Sequence, residues 1–242
     1  MKHTLRYFSS ILLLVSSAAF SQGQATDSIP VAPIKNERYG LRLGVDLYRL
    51  ARPIYDDNFS GIEIVGDYRY NKKFYIAAEA GFINDYTVTD EQVNFTTKGG
   101  YLKIGFDYNA YENWLDMENM IYAGIRYGFG NFSQNLNSYT IYDTSDYFEE
   151  VTIYPDREYS GLTAHWAEVV GGIKVEILDN LYLGFSLRLN ILLSEKQPDN
   201  FANLYIPGFN RTYEGNFGAG FNYTLSYFIP LYKKAAAPKE TK

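Results

Sequence analysis

From Tyr39 onwards the chain alternates, residue by residue, between apolar and polar side chains. Tyr39, Leu41, Leu43, Val45 and Leu47 fall on one side of a two-residue period, with Gly40, Arg42, Gly44, Asp46 and Tyr48 on the other. Period two is that of a β-strand whose faces meet different surroundings. Seven further segments repeat it. Ile62, Ile64, Tyr68 and Tyr70 oppose Glu63, Asp67 and Arg69, and Phe74, Ile76 and Phe82 oppose Tyr75, Glu79 and Gly81. Leu102, Ile104 and Phe106 oppose Lys103, Gly105 and Asp107, and Ile121, Ile125 and Phe129 oppose Gly124, Arg126 and Gly128. Val169, Ile173 and Val175 oppose Glu168, Lys174 and Glu176. The clearest run sets Leu183, Phe185, Leu187 and Leu189 against Tyr182, Gly184, Ser186 and Arg188. The last sets Phe217, Phe221, Tyr223 and Tyr227 against Gly218, Gly220 and Asn222.

The links between these segments differ in kind. Asn71-Lys72-Lys73 and Asp179-Asn180 read as tight turns, whereas 84–96, 131–162 and 194–213 are long and polar and 51–60 is intermediate. Short turns alternating with long loops, over an even number of strands, are the signature of an up-and-down membrane barrel. The pattern predicts an all-β, antiparallel, transmembrane β-barrel of about eight strands spanning 39–232.

Alternation also fits a water-soluble barrel, a lipocalin-like carrier with an apolar cavity and a polar exterior. The two readings differ in which face is enclosed. One face carries Arg42, Arg69, Lys103, Arg126, Lys174 and Arg188 with Asp46, Glu63, Asp67, Glu79, Asp107, Glu168 and Glu176, interleaved with small glycines. That near-balance of sign suits mutual pairing in a narrow lumen, where an unpaired charge costs several kcal/mol. The other face is almost free of charge; turned to water it would form an apolar belt far larger than soluble monomers tolerate. The charged set is therefore expected inside as an ion-pair network, with the oily face in contact with outer-membrane lipid.

The ends and the composition extend this picture. Lys2 and Arg6, the apolar run Phe8–Phe20 and the small residues Ala19 and Ser21 read as a signal peptide, 1–21, cut after Ser21 or Ala25. Residues 22–38, with Pro30 and Pro33, read as a flexible periplasmic leader, and 233–242 as a short periplasmic tail. There is no cysteine, which excludes disulfides and a lipid-bearing cysteine. The 24 Tyr and 16 Phe suit sheets and interfacial belts. A net charge of −6 leaves no basic footprint for nucleic acid.

The signal ending Phe20-Ser21-Gln22, the Tyr/Gly-rich strands and the closing Ser226-Tyr227-Phe228-Ile229-Pro230-Leu231-Tyr232-Lys233 resemble uncharacterised outer-membrane β-barrel families of Bacteroidetes. More broadly the chain is similar to the small OmpA- and OmpX-like barrels. The resemblance implies insertion by the barrel-assembly machinery, which reads a terminal aromatic strand; Phe221, Tyr223, Tyr227 and Tyr232 are the residues it implies for that signal.

Candidate chemistry is sparse. His165, with Ser160, Thr163 and Glu168 near it in sequence, is the one histidine outside the signal, and a Ser-His-acid set there would suit a lipid A-modifying hydrolase or acyltransferase. The plainer reading makes it an amphipathic interfacial residue beside Trp166. Asp143, Asp146, Glu149, Glu150, Asp156 and Glu158 offer oxygen ligands without calcium-loop spacing, and no metal or cofactor is expected. Tyr139, Tyr142, Tyr147, Tyr154 and Tyr159 interleave with those acids and mark a candidate partner loop, unless the flanking strands simply extend beyond the membrane. The link Tyr111–Met120, with Trp114, Leu115 and Met117, suits an interfacial segment or a periplasmic docking site. The function expected is that of a non-catalytic outer-membrane barrel, an envelope structural protein or an accessory subunit of a larger outer-membrane complex. The alternatives are the lipid-modifying enzyme using His165, a small porin-like channel, and the soluble carrier.

Overall fold

The alternating segments form antiparallel strands in a computed structural model that describes residues 36–89, 92–111, 118–141, 150–199, 202–210 and 216–235. They are β1 (Asn36–Asp46), β2 (Phe59–Arg69), β3 (Phe74–Thr89), β4 (Val93–Asn109), β5 (Met120–Ile141), β6 (Val151–Ile153), β7 (Arg157–Leu178), β8 (Leu181–Glu195) and β9 (Phe217–Ala235). One short helix, α1 (Leu47–Ala51), and a 3-10 turn, Arg52–Ile54, lie between β1 and β2.

Nine strands lie among the described residues where about eight were expected. Eight close a ring: β1 to β5 in sequence, then β7, β8 and β9, with β9 pairing back onto β1 from Asn36 to Asp46. The ninth, β6, pairs only Val151–Ile153 with Tyr139–Ile141 at the far end of β5. A closed ring leaves no edge strand to seek a partner.

Several boundaries move. β1 starts at Asn36 and β9 runs to Ala235, so pairing claims the last residues of the expected leader and the first of the expected tail. The signal peptide, most of the leader and the rest of the tail lie outside the described residues. The expected loop 84–96 is almost all strand, since β3 runs to Thr89 and β4 begins at Val93. Much of 131–162 is strand too. Leu47, expected in the first strand, opens α1, because Asp46 caps that helix with its side chain.

The ring has two unlike ends. The 70–73 and 179–180 turns, the 110–119 link and the ends of β1 and β9 share one, the turn end; the other, the loop end, carries α1 and the long 196–216 link.

Parity sets the faces. Along β5 burial alternates at every residue from Met120 to Phe132, the register of a wall with a filled interior on one side. The expected apolar face points outward: Ile64, Ile104, Ile125, Val169, Leu187 and Leu189 are 51–63% exposed. Tyr39 departs from it. It is buried at the turn end, its ring stacked on that of Tyr232 at 5.4 Å.

Candidate functional site

The interior is built in layers, and strand register places its charges. Arg42 faces Asp67 across β1–β2, and Glu79 faces Lys103 across β3–β4. At the turn end Arg38 and Arg69 both meet Glu118, at 3.0 and 3.3 Å, and Arg38 reaches Glu176 at 3.5 Å. Next, Arg42 and Lys174 share Asp67 at 3.0 and 2.6 Å, and Arg42 stacks over Tyr182. Arg126 holds Asp107 at 2.8 Å.

The central layer gathers around two glutamates. Glu79 takes Arg188 at 2.6 Å, Arg126 at 3.4 Å and Lys103 at 3.7 Å, while Glu168 takes Lys103 at 2.9 Å and Arg188 at 3.0 Å. Above it, towards the loop end, Glu63 pairs with Arg49 at 3.1 Å and accepts from the Tyr101 hydroxyl and the Asn222 amide. Six cations (Arg42, Arg49, Lys103, Arg126, Lys174, Arg188) thus share the enclosed space with six anions (Asp46, Glu63, Asp67, Glu79, Asp107, Glu168). Free volume there is small. A cavity among Arg42, Asp67, Lys174 and Arg188 measures ≈ 20 Å³, room for about one water.

Every residue of the expected network therefore faces inward, but the partners differ from a simple ladder. Asp46 has no ion pair among the described residues; it accepts from the Tyr48 and Arg49 amides at 2.8 and 3.2 Å and from Asn222 at 2.5 Å. Arg38, Arg49 and Glu118 belong to the network and sequence periodicity missed them, since all three stand at strand ends or in links.

Above the charges the interior turns apolar, closed by part of the link that sequence marked as a polar loop. Residues Leu204–Phe209 dip into the ring. Ile206 and Phe209 are fully buried against Tyr101, Phe132, Leu162, Trp166 and Leu192, and Tyr205 packs with Phe59, Ile83 and Phe95. Buried amides of the wall hold the segment: Gln134 binds both Ala202 and Leu204, and Asn190 donates to the Phe209 carbonyl at 3.0 Å. The turn closes through Ile206–Asn210 bonds, with Gly208 at φ +84° directly over the Tyr101 ring, where a Cβ would collide. Burial holds the Tyr205 phenol above its ordinary pKa, and its hydroxyl donates to Asn210 at 3.3 Å.

Beside this plug lies a cavity of ≈ 460 Å³. Tyr48, Arg49 and Arg52 from the α1 segment, Phe59, Tyr86 and Phe95 from the wall, and Leu204 and Tyr205 from the plug line it.

The remaining candidates separate. His165 is half-buried on the outer face of β7, its Nδ1 2.8 Å from the Tyr127 hydroxyl and its ring against Phe129. Glu168 projects to the opposite face, so the proposed acid does not stand with the histidine. Trp166 is not interfacial; it is fully buried in the lumen and donates to Glu168 at 2.7 Å. Of the tyrosine set, Tyr139 lies in β5, Tyr159 in β7 and Tyr154 is 76% exposed between β6 and β7; strand extension thus accounts for two of them. Tyr142 and Tyr147 lie outside the described residues, as do Asp143, Asp146, Glu149, Trp114, Leu115 and Met117. Phe221, Tyr223, Tyr227 and Tyr232 all project outward from β9, 40–51% exposed.

A closed antiparallel β-barrel with an outward apolar belt and an ion-paired, plugged lumen is the class this architecture defines. The chain belongs to the family described as a domain of unknown function, DUF6048, whose model matches residues 4–234. No curated protein matches the sequence. Two solved structures are similar in outline. Ail, the attachment invasion locus protein of Yersinia pestis, has 9% identity and a TM-score of 0.39, covering 80% of this chain and 99% of Ail. A major outer membrane protein from Thermus thermophilus has 14% identity and a TM-score of 0.37, covering 79% of this chain and 98% of that one.

Proposed function

We propose that this chain spans the bacterial outer membrane as a closed, non-catalytic barrel and serves as an envelope structural protein or as an accessory subunit of a larger outer-membrane assembly. The observation that carries the reading is the wall: a ring of half-exposed Ile, Leu, Val, Phe and Tyr without a charge, around a lumen that holds the ionic groups. From Leu181 to Leu193 a strand advances about 40 Å at ~3.4 Å per residue. A tilt of about 45° turns that into roughly 29 Å, close to the ~30 Å hydrocarbon core of a bilayer. No helix among the described residues is long and apolar enough to cross; the strands make the crossing. The even ring puts both its ends at the turn end, which we assign to the periplasm, with the loop end outside.

The filled lumen argues against a solute channel, because the buried, ion-paired side chains of the central charge layer border a cavity of only ≈ 20 Å³. Alkaline carbonate washing of outer membranes tests the wall: the chain should stay in the pellet and come out only with detergent, and release by carbonate would overturn the membrane reading. Gentle extraction tests the accessory role, which predicts co-purification with a larger complex; a lone monomer from native membranes would remove it.

A further inference from the structure

The cavity beside the plug has the size and make-up of a ligand site, and it touches the charge network only through Arg49. At ≈ 460 Å³ it falls within the ~300–1,000 Å³ range of small-molecule pockets, which are mostly apolar with a few placed polar groups. Among the described residues its ionic lining is of one sign. Arg49 and Arg52 face it, while the carboxylates that pair with them, Glu63 and Asp56, stand outside the lining. Arg52 is held ready: its guanidinium lies over the rings of Phe59 and Tyr86, at 4.2 and 4.6 Å, and its Nε donates to Asp56 at 2.8 Å. A guanidinium carries five N–H donors in a rigid fork matched to carboxylate and phosphate. Phe95, Val93 and Leu204 add apolar lining.

We propose that this cavity binds a small organic anion, a carboxylate or phosphate on an aromatic or branched apolar body, with Arg52 meeting the anionic group and Phe59, Phe95 and Leu204 the body. Ala219 and Phe221, at the upper edge of β9, also border the cavity. A phospholipid headgroup entering from the side would therefore satisfy the same chemistry as a solute entering from the medium.

The test uses the full chain in nanodiscs of zwitterionic lipid, titrated by calorimetry with 2-naphthoate and 2-naphthyl phosphate, and with 2-naphthylmethanol as the uncharged counterpart. At least one anion should bind, the alcohol at least tenfold more weakly. Arg52→Gln should weaken the anion at least tenfold and leave the alcohol unchanged. Equal binding of anion and alcohol, an unaffected Arg52→Gln variant, or no binding of either anion would each overturn the proposal. Where the anion binds, adding phosphatidylglycerol separates the sources: competition assigns the site to a lipid headgroup, an unchanged Kd to a solute. A chain that refuses to enter nanodiscs strikes at the membrane reading alone, and the same titration is then run in buffer.

Discussion

Replacing Glu79 with alanine removes the anion around which the central layer is arranged. Its carboxylate takes both Arg188 Nη atoms, at 2.6 and 3.0 Å, and stands 3.4 Å from Arg126 Nε and 3.7 Å from Lys103 Nζ. All four side chains are 5% exposed or less, so bulk solvent does not reach the lost interactions. Deleting one partner of a buried pair costs about 3–5 kcal/mol. Each cation keeps a second anion: Arg188 and Lys103 hold Glu168 at 3.0 and 2.9 Å, and Arg126 holds Asp107 at 2.8 Å. The expected loss therefore sits at the lower end, about 3 kcal/mol. Urea unfolding of the barrel in lipid vesicles measures it, following the fluorescence of Trp166 in a Trp114→Phe background, since Trp166 lies fully buried beside the layer. A double-mutant cycle with Arg188→Ala should return a coupling of at least ~1 kcal/mol. A loss under about 1 kcal/mol, or strict additivity in the cycle, would refute the claim that the layer acts as one buried network.

Three further outcomes follow from other parts of the barrel. Leu187→Arg, on the wall in the middle of β8, should destabilise the inserted barrel by about 2–4 kcal/mol, whereas Ile54→Arg, 85% exposed on the 3-10 turn, should stay within about 0.5 kcal/mol; equal effects in vesicle unfolding would count against a lipid-facing wall. Phe209→Ala should cost about 3 kcal/mol or more by emptying the plug beside Trp166. Planar-bilayer recordings of that variant should nevertheless stay closed, because the Glu79–Arg188 layer blocks the path beneath; steady conductance steps would show that the plug alone seals the barrel. His165→Ala should leave the mass spectrum of lipid A unchanged, and an altered spectrum would restore the lipid-modifying enzyme.

What the sequence disclosed, and what it concealed, follow from one cause. Inside a wall with unlike faces, each side chain's surroundings are set by its parity, so the inward placement of Arg42, Glu79 and Arg188 could be read directly from period two. Beyond the wall the contrast fades. Asn131, Ser133, Gln134 and Asn135 are polar on both faces of β5, so the strand continued unseen into what read as a loop. Trp166 shares the parity of Glu168 and would have been placed in the lumen had that strand been extended towards the loop end. The plug did leave a signal, Tyr205, Ile206 and Phe209 around a Pro207-Gly208 turn, an apolar cluster in a link otherwise polar. Arg49 and Glu118 left none, because no periodicity runs through a link.

The ion ladder is better understood as a device for register than as a source of stability. Buried pairs recover little more than the cost of desolvating them, and in the proposed membrane setting hydrophobic contact with lipid does not distinguish one apolar strand alignment from another. Parity does distinguish them. Sliding β3 by one residue against β2 and β4 would break the facing of Glu79 with Lys103 and turn Glu79 to the outer face. The same slip in β8 would carry Arg188 out to where Leu187 and Leu189 now stand, at about 2–4 kcal/mol for an arginine at mid-membrane, with its lumenal partners Glu79 and Glu168 left bare. Each misaligned strand thus pays twice, in lipid and in the lumen, while the correct alignment satisfies both. A barrel without cysteines, whose narrow interior is filled by paired side chains, can hold a single register in this way by charge placement alone.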